Sequence, residues 1–262
     1  MPECLGGIKK RGRSMNTYVI GDVHGHHDAL MQLVDMLPSG AKLVFVGDLI
    51  DRGNQSKEVI AFIREKGHLC VLGNHEKMMI EEAHYVFESY QRGFLCTNDP
   101  VALWHKSGGA DTLKSYGLIK ELGVNDLEIL TDPYPDKELM QFRDDLEWVK
   151  SLPLYIELDI IHSSTKPVIV SHAAIADVWH KREEIDLEDF ALWNRDFVFP
   201  YTPIFNIFGH TPKNSVDVRE NDCVNVDTGC YLNKAGFGRL SAYCIETGEI
   251  FTAQRITNEK EN

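Results

Sequence analysis

The 262-residue sequence contains no C-x-x-C pair among its six cysteines, no internal repeat and no low-complexity segment. Without paired cysteine spacing there is no zinc ribbon and no redox dithiol. The scattered thiols of Cys4, Cys70, Cys96, Cys223, Cys230 and Cys244 are therefore expected to be reduced and mostly buried, as in a cytoplasmic protein. No apolar run approaches the about 18 residues of a membrane span. Lys9, Lys10, Arg11 and Arg13 are not followed by the apolar stretch that a secretory signal requires. Residues 1–16 read instead as a disordered tail, with Met15 as a candidate native start. Positive charge is scarce as well, with 27 Lys and Arg against 40 Asp and Glu and a net charge of −13. That balance excludes a broad nucleic-acid surface. Such a protein can still bind phosphate, but only where metal ions or a few arginines concentrate positive charge.

What is present is an ordinary globular composition, 43% hydrophobic and 26% charged, at a length that suits one α/β domain. The domain is expected over residues 17–257, with a short tail at 258–262. Thr17–Ile20, Lys42–Val46 and His68–Leu72 read as buried strands. Between them, His26–Leu37 and Ser56–Lys66 carry apolar residues at helical spacing, stopped by Pro38 and Gly67. This alternation predicts crossovers and a mostly parallel sheet. Residues 76–150 read as a helical insertion over the strand ends, interrupted by Gly93, Asn98-Asp99-Pro100, Gly108-Gly109 and Asp132-Pro133. Leu154–Leu158, Pro167–Val170, Ile204–Phe208, Cys223–Val226, Arg239–Ile245 and Glu249–Gln254 form a β-rich second half.

Five of these strands end alike, in Gly21-Asp22, Gly47-Asp48, Gly73-Asn74, Ser171-His172 and Gly209-His210. One Asp after a strand is usually a turn former or a helix cap. Five such endings, all offering oxygen or imidazole donors where α/β sheets build their sites, point to metal ligation. Asp22 and His24 are two residues apart, so in an extended or loop backbone both can reach one ion. Asp48 has two oxygens and can bridge two ions. Asn74, His172 and His210 supply an amide oxygen and two imidazoles. Mixed nitrogen and oxygen donors suit Mn, Fe, Zn, Ni or Co, with manganese expected, better than Ca or Mg. Two close ions acidify a shared water and clamp a phosphoryl group for in-line attack. His75 is the candidate general acid, Asp51 its hydrogen-bond partner, and Arg52 and Arg195 the donors to phosphate oxygens.

Gly21-Asp22-Val23-His24-Gly25, Gly47-Asp48-Leu49-Ile50-Asp51-Arg52-Gly53 and Gly73-Asn74-His75-Glu76 resemble the three signature motifs of the calcineurin-like metallophosphoesterases. Ser171-His172-Ala173, Trp193-Asn194-Arg195, Gly209-His210-Thr211-Pro212 and Asp227-Thr228-Gly229-Cys230 resemble the later ones. The likeness is narrower toward the serine/threonine phosphoprotein phosphatase branch. Its compact members, the lambda-phage protein phosphatase and the bacterial symmetrical diadenosine tetraphosphatases, look most similar; the stretch from Trp104 through Ser107-Gly108-Gly109-Ala110-Asp111-Thr112 shares in that likeness. The resemblance implies a four-layer α/β/β/α sandwich with a dinuclear site. One ion would sit on Asp22, His24 and bridging Asp48, the other on Asp48, Asn74, His172 and His210. It further implies phosphate contacts from Arg52, Asn74 and Arg195 and an acid role for His75 with Asp51. His26 departs from the family pattern, where Cys or Asn is frequent.

The remaining features have plainer readings. His26 and His27 open a helix and face solvent, and His68 is structural. His84, His105, His162 and His180 have no motif context, and Trp104 and Trp148 fit helix packing. Glu76 either touches a ligand or is a carboxylate favoured by a helix start. Asp227 either orients a ligand or forms a turn. Arg182 to Asp189 reads as a solvated acidic surface. The expected activity is removal of phosphate from phosphoserine and phosphothreonine, extending to phosphotyrosine and small aryl phosphates. Symmetrical hydrolysis of diadenosine tetraphosphate is the alternative, and a non-catalytic scaffold is a third reading from another class. The expected partners are a phosphoprotein or dinucleotide substrate, with no nucleic acid and no membrane, and the chain is expected to be monomeric.

Overall fold

The computed structural model describes residues 15–92, 104–122, 126–129, 137–196 and 198–256. The expectations for the two tails, Cys4, Cys96 and the turns near Asn98 and Asp132 lie outside the described residues.

The chain begins with β1 (Thr17–Ile20), α1 (His27–Met36), β2 (Lys42–Phe45), α2 (Ser56–Lys66) and β3 (Leu69–Cys70). β1, β2 and β3 pair in parallel through these two helical crossovers. Then comes α3 (Asn74–Arg92), and the inserted region holds α4 (Ala110–Ser115), a hairpin of β4 (Ile119–Leu122) and β5 (Asp126–Ile129), and α5 (Lys137–Val149). After it follow β6 (Tyr155–Ile161), β7 (Pro167–Ser171), α6 (Leu187–Trp193), β8 (Phe205–Phe208), β9 (Asp217–Arg219) and β10 (Cys223–Asn225). The last strands, β11 (Arg239–Cys244) and β12 (Ile250–Gln254), return to the first sheet. Its order is β12-β11-β1-β2-β3, and the second sheet runs β6-β7-β8-β10-β9.

The two sheets stack face to face with helices outside them, and the side-chain alternation of a strand shows why. On β1, Val19 joins Val44, Val46 and Val71 against Val168, Val170, Phe205, Ile207 and Val224 of the other sheet. Its neighbours Tyr18 and Ile20 face the other way, toward Leu30, Leu33, Val59, Ile60 and Ile63 of α1 and α2. Ile169 and Phe208 cover the outer face of the second sheet with Ala174, Ile175 and Ala191. Strands buried on both faces explain why the sequence runs there are continuously apolar. No helix among the described residues is long and apolar enough to cross a membrane.

Three expectations need correction. Both sheets are mixed, because β11 and β12 add antiparallel partners to β1 and the β6 and β9 edges pair antiparallel in the second. The inserted region is not wholly helical, since it contains the β4–β5 hairpin. The strand expected over His68–Leu72 is only two residues long, and Asn74 and His75 lie in the first turn of α3 rather than in a loop. The insertion is tied to α2 by Asp145, which accepts hydrogen bonds from Arg64 Nη1 at 2.7 Å and, within the insertion, from Tyr116 Oη at 2.9 Å. Cys70, Cys223, Cys230 and Cys244 are buried and unbridged, as expected for the described thiols.

Candidate metal centre and active site

Asp48 stands at the centre of the site, just beyond β2. Its buried carboxylate lies 3.5 Å from His24 Nε2, 3.4 Å from His172 Nε2 and 4.0 Å from His75 Nε2. Two ligand groups share it, one of His24, Asp48 and His75 and one of Asp48, His172 and His210. The donor atoms of each group lie within 4.8 Å of one another. Burial works to raise the Asp48 pKa, but His172, His75, His24 and His210 outweigh it and hold the carboxylate well below its usual range. Burial pushes the His24 and His172 pKa values down, and that of His210 to about 3, helped there by the neighbouring His172. These imidazoles are neutral at physiological pH and keep a lone pair for a cation.

Backbone carbonyls select which nitrogen keeps that lone pair. His24 Nδ1 donates to Ile50 O at 3.0 Å and His172 Nδ1 donates to Val46 O at 2.9 Å. A carbonyl can only accept, so the protons sit on Nδ1 and both Nε2 atoms face the centre. Asn74 Oδ1 lies 2.8 Å from His172 Nε2 and 3.0 Å from His210 Nδ1, which brings three donors from three elements to one point. Asp22 accepts from the His210 backbone N–H at 3.1 Å. Burial and the charges of Asp227 and Asp48 raise the Asp22 pKa, and burial raises that of Asp227 to about 7. Asp227 also serves the turn, accepting from Gly229 N–H at 2.8 Å, while its Oδ2 is buried with no hydrogen-bond partner among the described residues. A buried cluster of carboxylates and neutral imidazoles is a donor set that divalent cations fit, because they supply the missing positive charge.

His75 faces the same carboxylate and is held from behind. Its Nδ1 is 2.6 Å from Asp51 Oδ2. Burial lowers the His75 pKa, but Asp48 and Asp51 outweigh burial and the value stands above the ordinary one. Asp51 is itself fixed by the insertion. Trp104 Nε1 donates to both its oxygens, at 3.1 and 3.0 Å, and Thr112 Oγ1 donates to Oδ1 at 2.6 Å. Trp104 is therefore more than packing, and its motif contained the clue: a buried indole N–H needs an acceptor. Gly108, at φ 116°, leaves room for Arg52, whose backbone and side chain a Cβ there would strike. Arg52 Cζ lies over the Tyr231 ring, 3.7 Å from its centroid, and Arg52 Nη1 is 2.9 Å from His24 Nε2. Arg195 follows α6, and its Nη1 donates to His210 O at 3.0 Å. Tyr231, Trp104 and Thr112 are the supporting residues that sequence reasoning missed.

Glu76 ties two of the loops together. Its Oε2 accepts from Asp48 N–H at 2.8 Å and Gly73 N–H at 3.0 Å, while Oε1 accepts from Leu49 N–H at 2.8 Å and Ile50 N–H at 3.3 Å. Burial and the Asp48 charge raise its pKa to about 8, against the pull of the N–H donors and His75. A cation on Asp48 would offset part of that repulsion. The Glu76 carboxylate thus holds backbone rather than metal. Of the other histidines, His68 lies against Phe45 and Phe62 as a structural residue would, His162 stacks on Phe205 at 3.7 Å, and His84 and His180 are exposed. His26 is only half-exposed, with a buried Nε2, and does not simply face solvent. In the acidic run, Asp186 caps α6 through Glu188 N–H and Glu188 pairs with Lys77 at 2.6 Å.

A family model described as Metallophos, calcineurin-like phosphoesterase, matches residues 15–219. The asymmetrical bis(5'-nucleosyl)-tetraphosphatase PrpE of Halalkalibacterium halodurans is 28% identical over 280 residues, spanning 92% of this chain and 96% of that protein. Serine/threonine-protein phosphatase 2 of Salmonella typhimurium is 25% identical over 242 residues, spanning 87% and 92%. Among solved structures, the metallophosphoesterase of Sphaerobacter thermophilus superposes with a TM-score of 0.51 at 15% identity, covering 94% of this chain and 89% of that one. That last likeness is one of fold.

Glu76→Gln keeps the size of the side chain but turns one acceptor oxygen into an NH₂ group facing backbone N–H donors. The expected result is a loss of about 2–4 kcal/mol in unfolding free energy by urea titration, with metal-supported hydrolysis falling alongside it. A change below about 0.5 kcal/mol would remove Glu76 from the role of loop clamp.

Proposed function

The chain belongs to the calcineurin-like phosphoesterase family, and on that premise we propose that it is a dinuclear hydrolase whose substrates are dinucleoside tetraphosphates. The observation that carries the dinuclear reading is the single carboxylate of Asp48 shared by two ligand groups, in one of which His75 lies beside His24. In this reading one ion would be held by Asp22, His24 and Asp48, and the other by Asp48, Asn74, His172 and His210. The donor set suits manganese, and Fe, Zn, Ni and Co fit the same mixture. When bound, the ions supply Lewis-acid chemistry, polarising phosphoryl oxygens and acidifying water.

The chain's own residues do the rest. Arg52 and Arg195 offer guanidinium N–H donors to the non-bridging oxygens, and both sit at the edge of the metal centre. His75 gives the leaving oxygen its proton. With Nδ1 engaged by Asp51, the nitrogen that faces the site is Nε2, 4.0 Å from Asp48 Oδ2. Asp51 fixes that tautomer and stabilises the imidazolium, and Trp104 and Thr112 keep Asp51 from turning away.

The tetraphosphatase of Halalkalibacterium halodurans, similar along nearly the whole chain, supports the dinucleotide reading. Phosphoprotein hydrolysis is the second reading, supported by the Salmonella typhimurium phosphatase and by Trp193-Asn194-Arg195. Side-by-side turnover of diadenosine tetraphosphate and a phosphoserine peptide decides between them. At least about a tenfold advantage in kcat/KM for the dinucleotide is expected, and the reverse preference would overturn the first reading. The products, ADP alone or AMP with ATP, report the position of cleavage.

His75→Asn removes the proton donor and leaves the proposed ligands in place. Its kcat is expected to fall by about 10²–10⁴ with metal content unchanged by elemental analysis. An unaltered kcat would take His75 out of the acid role.

A further inference from the structure

A second cavity adjoins the site at Arg52, with a volume of about 330 Å³. It is bordered by His26 at the start of α1, by Arg52 and Gln55 between β2 and α2, by Lys114 of α4, and by Arg255 just beyond β12. Three cationic side chains from three separate parts of the chain thus converge on one hollow. Asp111 stands 3.3 Å from Lys114 Nζ, and Asp28 lies in the first turn of α1, where the helix start already favours an anion. In a chain of net charge −13, a concentration of this kind is a local exception.

The geometry links the hollow to the metal centre through Tyr231. One face of its ring carries the Arg52 guanidinium at 3.7 Å, and its backbone carbonyl accepts from Arg255 Nη1 at 3.0 Å. Tyr231 therefore holds two guanidinium groups in register, one serving the centre and the other the hollow. His26 adds a buried Nε2 that finds no hydrogen-bond partner among the described residues. Surface ion pairing explains Lys114 beside Asp111, but it explains neither Arg255 nor the shared Arg52.

We propose that this cavity is a subsite for the phosphate groups next to the one being hydrolysed, so that the enzyme selects polyphosphate chains over isolated monoesters. The proposal rests on the reading that Arg52 grips the reacting phosphate, and extends it by naming the neighbouring anion site. Its volume falls within the ordinary range for ligand pockets, about 300–1,000 Å³. A chain of phosphates leaving the metal centre past Arg52 meets Lys114 and Arg255 next.

The test is inhibition of p-nitrophenyl phosphate turnover by tripolyphosphate and by orthophosphate, at constant free metal. Tripolyphosphate is expected to inhibit the wild type at least about tenfold more tightly than orthophosphate, since it can reach extra charge-assisted donors. Lys114→Gln and Arg255→Gln should each remove about fivefold or more of that advantage. Orthophosphate inhibition and p-nitrophenyl phosphate kcat should stay within about twofold for Lys114→Gln. Arg255→Lys, which keeps the charge, should recover most of the loss and so separates charge from folding. A wild type with no preference for tripolyphosphate overturns the proposal, as do variants that weaken both inhibitors equally. Failure of diadenosine tetraphosphate turnover with the tripolyphosphate response intact would sink the dinucleotide reading and leave the subsite standing; turnover without that response would do the reverse.

Discussion

Asp48 is a carboxylate buried among imidazoles, and the cost of keeping that charge out of water shapes everything around it. A buried anion survives only with partners close at hand. Here the partners are His24, His172 and His75 at 3.4 to 4.0 Å, with His210 joining His172 in the second ligand group. Because burial drives His24 and His172 toward neutrality, these two shield Asp48 less than imidazolium ions would. The cluster is consequently a demand for cations, met by the lone pairs that backbone carbonyls leave on His24 and His172.

Placing those groups costs backbone strain. His24, Asp48, Asp51, Arg52 and His210 all have φ between 47° and 73°, in the left-handed region that favours glycine. Each such residue costs on the order of 1 kcal/mol or more and persists only where its surroundings over-determine it. The surroundings here are explicit. Glu76 gathers the N–H groups of the Asp48 loop, Trp104 and Thr112 hold Asp51, and the valine-rich contact between the two sheets fixes the strands from which the loops depart. Space is controlled as closely as conformation, since a Cβ at Gly209 would run into the Asp22 carboxylate and one at Gly73 would meet the Asp48 backbone.

Much of this was legible in the sequence. The five strand endings carry residues that the fold gathers around Asp48, and their repetition is the signal that sets them apart from ordinary turns. Two-faced burial made β1 and β2 continuous apolar runs that are easily read. What escaped were properties of three-dimensional neighbourhood. Nothing local to Trp104 says that its indole meets Asp51, 53 residues away. Sequence alone does not decide the role of Glu76, because the N–H groups it accepts from belong to a loop 26 to 28 residues upstream. Tyr231 followed a recognisable Asp-Thr-Gly-Cys stretch, yet its stacking on Arg52 depends on how β11 returns to the first sheet. The β4–β5 hairpin was hidden by a region whose composition favours helices.

Charge unifies these points. An acidic protein that handles phosphate must confine its positive charge, and the cations here stand at the edge of a site whose middle is a carboxylate. The most direct measurement is a crystal structure of metal-loaded protein with anomalous scattering to locate each ion. Two ions per chain are expected, both bonded to Asp48, one also to His24 and the other also to His172. A single ion, or two ions that do not share Asp48, would contradict that arrangement.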